Sequence, residues 1–169
     1  MERTLLLMRH AKSDRSDPML SDIDRPLNER GRNDAPLMGK FIFDVAGTPD
    51  QILSSTAQRA RETAELVAAP CKYKQGIIME SSLYASTPGK YIQAISKVPK
   101  DVKTLLVVGH NPIMEQLSSM LCSGRPNEVS FRMPTASIAC FIVEDRTWNT
   151  IELGMCELKW FITPKIINK

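Results

Sequence analysis

Four short apolar runs punctuate the chain, at residues 4–8, 51–53, 77–79 and 104–108, and each reads as a buried strand. Helical spacing follows them. After the second run, Ala57, Ala60, Ala64, Val67 and Ala68 fall on one face, and Ser55 with Gln58 forms an S-x-x-Q capping box at the start. After the third, Pro88 opens a helix through Ile92 and Ile95. After the fourth, Asn111 stands as N-cap with Pro112 at the first helical position. Ile113, Leu117, Met120 and Leu121 then make the inward stripe, and Gly124 ends it. Between the first two runs, Leu37, Phe41, Ile42 and Val45 share a helical face that starts at Asn28 or at Asp34, because Pro36 suits either a first turn or a kink.

The last third changes character. Residues 137–143 and 148–153 are β-rich and flank the turn-like Glu144-Asp145-Arg146-Thr147, which predicts an antiparallel hairpin at one side of the sheet. The lysine-bearing tail from Trp160 reads as a solvated terminus. Alternating strands and helices predict an α/β fold in three layers, a mostly parallel central sheet with helices on both faces and the hairpin near the C-terminus. With no repeat or linker, residues 1–169 read as a single domain.

Composition narrows the function classes. With 43% hydrophobic and 24% charged residues the chain is ordinary for a globular protein, so disorder and fibrous architectures are set aside. No run approaches the roughly 20 apolar residues that cross a bilayer, and the N-terminus lacks a leader pattern, so a cytoplasmic protein without membrane partners is expected. Cys71, Cys122, Cys140 and Cys156 are widely spaced, which favours buried thiols over a zinc site or disulfides. A net charge of +3 is too small to argue for nucleic acid but suits an anionic ligand.

The candidate chemistry sits where the apolar runs stop. The chain has two histidines. His10, preceded by Arg9, ends the first run, and Gly109-His110 ends the fourth; Ser54 to Arg59 follow the second. In open α/β sheets ligands collect at the carboxyl ends of strands, so these three segments are expected to converge on one crevice. A phosphoryl group needs positive charge and donors around its oxygens while a nucleophile approaches in line. Arg9 and Arg59 offer guanidinium forks, Arg59 in the first turn of its helix where free N–H groups also favour an anion. His110 adds a donor if protonated, and Ser13 is a further candidate for phosphate contact. His10 would then attack phosphorus through a neutral ring nitrogen, its tautomer fixed by a backbone carbonyl. No metal and no cofactor is called for, since the arginines supply the charge neutralisation.

These residues carry a family resemblance. Arg9-His10, Arg25-Pro26-Leu27-Asn28-Glu29-Arg30-Gly31, Leu53-Ser54-Ser55 with Arg59-Ala60-Arg61-Glu62-Thr63-Ala64, and Val108-Gly109-His110-Asn111-Pro112 resemble, in order, the motifs of the histidine phosphatase superfamily. Within it the chain resembles the small SixA-type phosphohistidine phosphatases of phosphoglycerate mutase-like fold. The resemblance implies that His10 is the phosphorylated nucleophile and that Arg9, Arg59 and His110 form the phosphate pocket. The departures are Ala11 and Lys12, where many relatives have glycine and glutamate, and the short interval between Arg59 and His110, where relatives acting on sugar phosphates carry an insertion with an acidic proton donor.

Glu80 is the nearest acid by position, with Asp14, Asp22 and Asp24 as others. A phosphoramidate releases imidazole, an easier leaving group than an alkoxide, so general acid assistance matters less for such a substrate. The expected reaction is metal-independent removal of phosphate from phosphohistidine in a phosphotransfer protein. A phosphomonoesterase for a small phosphorylated metabolite, or a non-catalytic phosphate-binding module, are the competing readings. Arg25 reads equally as a substrate contact or as the salt-bridge partner of Asp22 or Asp24. Lys12 and Asn111 could touch phosphate or serve as loop and cap, Thr135 and Ser137 could line the pocket, and Tyr84, Trp148 and Trp160 read as packing aromatics.

Overall fold

The computed structural model describes residues 2–144 and 147–168. In chain order the elements are β1 (Arg3–Arg9), α1 (Glu29–Ala46), β2 (Gln51–Ser55), α2 (Gln58–Ala68), β3 (Ile78–Glu80), α3 (Pro88–Ser96), β4 (Thr104–Gly109), α4 (Ile113–Ser123), β5 (Ile138–Val143), β6 (Glu157–Ile162) and α5 (Pro164–Ile167). The six strands form one sheet in the order β3-β2-β4-β1-β5-β6. The first four of that order are mutually parallel, and β5 runs antiparallel to both β1 and β6.

Because successive strand side chains point to opposite faces, the near-continuous apolar runs of β1 and β4 feed two cores at once. Leu5, Leu7, Leu105 and Val107 join Tyr91, Ile95, Met114, Leu117 and Leu121 from α3 and α4 on one face. Leu6, Met8, Leu106 and Val108 join Met38, Ile42, Ala60, Ala64 and Val67 from α1 and α2 on the other. The expected three-layer α/β architecture is therefore the observed one.

Several local expectations are revised. The hairpin partner of β5 is β6, not residues 148–153. That stretch forms a 3-10 turn, Trp148–Thr150, in which Thr147 and Thr150 cap each other, and the fully buried Trp148 donates its indole N–H to the Val102 carbonyl at 2.8 Å. A bulky aromatic sunk into the helix side of the core pulls its segment out of the sheet plane, leaving the edge position to Glu157–Ile162. Asp145 and Arg146 of the expected turn lie outside the described residues. The tail is less solvated than its lysines suggest. Trp160 is half-buried and meets Phe41 edge-on at 5.4 Å, and Pro164 is buried at the start of α5.

Helix starts differ too. Asn28 caps α1 by accepting from the Gly31 N–H at 2.9 Å, which settles the start and leaves Pro36 inside the helix. No capping box opens α2. Ala57 holds the cap position, Gln58 donates to Glu62 at 2.7 Å, and the Ser55 hydroxyl faces His110. Helix α4 begins at Ile113 behind Pro112, and the Asn111 amide instead donates to Glu115 (2.7 Å) and to the Met133 carbonyl (3.1 Å). Glu115 also accepts from the Met133 N–H at 2.8 Å, so Asn111 is recruited to tether the loop before β5.

Candidate active site

Strand register brings the two histidines together. Arg9 pairs with Gly109 at the last step of the β1–β4 ladder, and the His10 N–H donates to the Gly109 carbonyl at 2.9 Å. The residues one step beyond this pair, His10 and His110, are therefore neighbours, with ring centroids 5.1 Å apart. On the other side of β4, Ser54 pairs with Val108, so Ser55 comes level with Gly109, one residue before His110, and its Oγ lies 2.8 Å from His110 Nε2. Arg59 enters from the first turn of α2, where it is buried, and its Nε donates to His10 Nε2 at 3.3 Å. Thr63, one helical turn on, accepts from the Ala11 N–H at 2.9 Å and so ties α2 to the segment that carries His10.

The tautomer of His10 follows from its partners. Its Nδ1 lies 2.7 Å from the Ala11 carbonyl, which can only accept, so Nδ1 carries the hydrogen and Nε2 presents a lone pair. The Arg59 donor on Nε2 is consistent with that assignment. Burial, with smaller contributions from His110, Arg59 and Arg9, pushes His10 down to about 3. Burial and then Arg59 push His110 down to about 4, with Asp22 opposing. Both rings are therefore neutral at pH 7, and the Nδ1 of His110 is buried without a hydrogen-bond partner.

Arg9, His10, Ser13, Arg59 and His110 share one polar cavity of about 240 Å3, with Lys12, Arg15, Arg25, Asn111 and Thr135 completing its wall. Arg9 is held there by donating Nη1 to the Met133 carbonyl at 2.8 Å. Ser13 is fixed by a bridge to Leu27. Every residue expected to surround the anion thus lies in one place. Ser137 does not join them, because its hydroxyl turns to the Pro134 carbonyl (2.6 Å). A larger groove of about 470 Å3 adjoins the cavity at Thr135, lined also by Arg30, Asp34, Pro134, Pro164 and Lys165.

Two residues at the site were misjudged from sequence. Glu80 is not in the cavity wall. It caps a 3-10 turn by accepting from the Ser82 N–H at 3.0 Å, and its hydrogen bonds with Ser82 hold it below the usual carboxylate range. A carboxylate bonded directly to a residue of the cavity is Asp22, whose Oδ2 accepts from Arg59 Nη2 (3.0 Å) and the Tyr84 hydroxyl (2.9 Å). Its Oδ1 takes Arg25 at 2.5 Å, so Arg25 both lines the cavity and pairs with Asp22. Burial opposes ionisation of Asp22, but the bonds from Tyr84 and Arg59 prevail and keep it ionised. Tyr84 also meets the His110 ring edge-on at 5.9 Å, so it belongs to the site and not merely to the packing. Asp22 was one of several acids that the sequence offered behind Glu80, whereas nothing in the sequence marked Tyr84 as more than a packing aromatic. Among the described residues no group of three or more His, Cys, Asp or Glu is placed to hold a metal ion, and no helix is long and apolar enough to cross a membrane.

Comparison with known proteins bears on the family and the fold. Residues 5–83 match the model of the histidine phosphatase superfamily (branch 1). An uncharacterized protein of Mycobacterium tuberculosis is 36% identical over 166 residues, which span 94% of this chain and 100% of that protein. A structure assigned as the phosphohistidine phosphatase SixA of Agrobacterium tumefaciens is 30% identical, superposes with a TM-score of 0.75, and is matched over 95% of this chain and 98% of its own. The structure of a protein histidine phosphatase SixA complexed with tungstate superposes with a TM-score of 0.81 at 22% identity, over 97% of this chain and 99% of its own, and shares the fold.

Proposed function

This chain belongs to the histidine phosphatase superfamily and is a phosphoric hydrolase of SixA type, and from that premise we propose that it removes the phosphoryl group from phosphohistidine in a phosphotransfer protein. His10 is the nucleophile. Its Nε2 lone pair attacks phosphorus, the bond from phosphorus to the substrate imidazole breaks, and the departing ring takes a proton from solvent. Water then attacks the phosphorylated His10, releasing inorganic phosphate and restoring the neutral imidazole. Arg9 and Arg59 neutralise the equatorial oxygens, and His110 and Ser13 add hydrogen bonds. The observation that carries this reading is the His10 Nε2 lone pair facing Arg59 in a cavity walled by cations, with the His110 ring centroid 5.1 Å from that of His10.

Two features favour phosphohistidine over a small phosphate ester. A cavity of about 240 Å3 lies below the roughly 300–1,000 Å3 usual for sites that enclose a small molecule, and it has room for a phosphoryl group with a ring-sized leaving group. Neither Asp22 nor Glu80 stands ready to assist an alkoxide, since Asp22 is held ionised and Glu80 lies outside the wall. An imidazole leaves without such help. A second reading, a phosphomonoesterase for a small metabolite, rests on the adjoining groove, where the body of an ester could lie with its phosphate at His10.

Rapid quenching with a 32P-labelled phosphohistidine protein tests the mechanism. Acid-labile label is expected on His10, with turnover that persists in a chelator and is lost in His10→Ala. Turnover retained by that variant, or strict dependence on added magnesium, would defeat it. A strong preference for any of a panel of phosphate monoesters would decide for the second reading.

A further inference from the structure

The cavity wall holds more positive charge than one phosphoryl group uses. Arg59 is buried and bonded to His10, Arg9 is half-buried and bonded to the Met133 carbonyl, and Arg25 is paired with Asp22. Lys12 and Arg15 differ. Both are exposed at the rim, and neither side chain makes a hydrogen bond or ion pair with any described residue. The carboxylates nearest in sequence do not compensate them. Asp14 accepts from the Ser16 N–H at 2.8 Å and Asp17 from the Met19 N–H at 2.9 Å, and neither lines the cavity. Arg15 even acts on Arg9 as a like charge, lowering its proton affinity. Two uncompensated cations beside two that already serve the anion disfavour the unliganded state and favour a partner that brings further negative charge.

The backbone that carries these cations is held in place. The Lys12 carbonyl accepts from the Asn28 N–H at 3.0 Å, Ser13 bridges to Leu27, and the Asp14 N–H donates to the Pro26 carbonyl at 2.8 Å. The segment from His10 to Asp14 is therefore laced to the start of α1 by main-chain bonds, and Lys12 and Arg15 project from a fixed backbone at or next to it. Since the cavity receives little beyond the phosphoryl group and its ring, residues next to the phosphohistidine in its carrier must lie outside, along this rim.

We infer that Lys12 and Arg15 form a recognition surface for an acidic segment of the phosphorylated protein, pairing with carboxylates that flank the phosphohistidine. The inference rests on the phosphohistidine reading and adds the sequence character of the carrier. Electrostatic complementarity of this kind sets specificity and encounter rate more than bulk affinity.

The test compares two peptides phosphorylated on a single histidine with phosphoramidate, one flanked by Asp and Glu, the other by Ser and Gln. At low ionic strength the native protein is expected to favour the acidic peptide in kcat/KM by roughly tenfold, the preference shrinking with salt. Lys12→Gln with Arg15→Gln should bring the ratio near one, and Lys12→Glu with Arg15→Glu should invert it. Because both peptides carry the same phosphoryl group, any loss of chemistry common to them cancels in the ratio. Equal turnover of the two peptides by the native protein, or a preference unmoved by charge reversal, overturns this inference and leaves the phosphohistidine reading intact. Failure on both peptides alongside brisk monoester hydrolysis overturns that reading, and this inference with it.

Discussion

A nucleophilic histidine must meet its substrate unprotonated, and burial does this for His10 at the expense of acid stability. With His10 near 3 and His110 near 4, against an ordinary value of 6.5, the unfolded chain binds protons that the native state refuses. Neither ring costs anything above pH 6.5. As pH falls below that value, each removes about 1.4 kcal/mol of stability per pH unit until its own folded value is reached. Urea midpoints measured from pH 7 down to 5 should therefore drop, and His10→Ala should flatten the slope. A second consequence lies at Ser55, whose hydroxyl meets His110 Nε2 at 2.8 Å and accepts a longer bond from the Ala57 N–H at 3.4 Å. Ser55→Ala removes the bond that orients this ring, and kcat/KM should fall about tenfold, with a weaker effect on fold stability. At this scale the legible residues were those next to an abrupt end of apolar sequence, since a strand end fixes both position and exposure. Asp22 and Tyr84 reach the site from loops whose course depends on the whole fold, and so local pattern gave Tyr84 no distinction and favoured Glu80 over Asp22.

At the scale of elements, close backbone approach explains why α1 needs a glycine in its first turn. A Cβ on Gly31 would lie 2.2 Å from the Lys12 carbonyl oxygen, a main-chain atom that cannot step aside. Gly31→Ala is expected to cost about 1–3 kcal/mol, read by denaturant unfolding, and to lower kcat by shifting the His10 segment. The 3-10 turn at Trp148 makes a separate prediction. Trp148→Ala opens the core against α3 and breaks the bond to Val102, so a loss of about 3–5 kcal/mol is expected, where an exposed edge strand would show little. The parallel strands β1, β2 and β4 were legible because burial on both faces makes continuous apolar runs, whereas β3, expected to be buried, lies at the sheet edge with Ile78 and Met79 exposed. The β6 edge was not legible, since Glu157-Leu158-Lys159 is exposed and reads as loop, while the richer 148–153 stretch supplied a misleading β signal. The capping box expected at Ser55 and the N-cap expected at Asn111 failed for a related reason, as both residues had competing partners brought by tertiary structure.

Over the whole molecule, the site gathers its groups from β1, β2 and β4 and the helix after β2, so a bound anion ties both halves of the chain. Tungstate or phosphate at about a hundred times its dissociation constant should add about 2.7 kcal/mol to unfolding stability, and Arg59→Ala should erase most of that gain. The convergence itself was foreseeable from strand and helix alternation, because carboxyl ends of a parallel sheet share one edge of the molecule.

The β1–β4 ladder carries a further meaning. Main-chain pairing, with Arg9 opposite Gly109, sets the two imidazoles side by side, and bonds from Ser55, Arg59 and the Ala11 carbonyl orient the rings. Reactivity and selectivity are thereby separable in design. Rim residues such as Lys12, Arg15 and Arg30 can be exchanged to redirect the protein toward new clients, while the engine beneath keeps its timing.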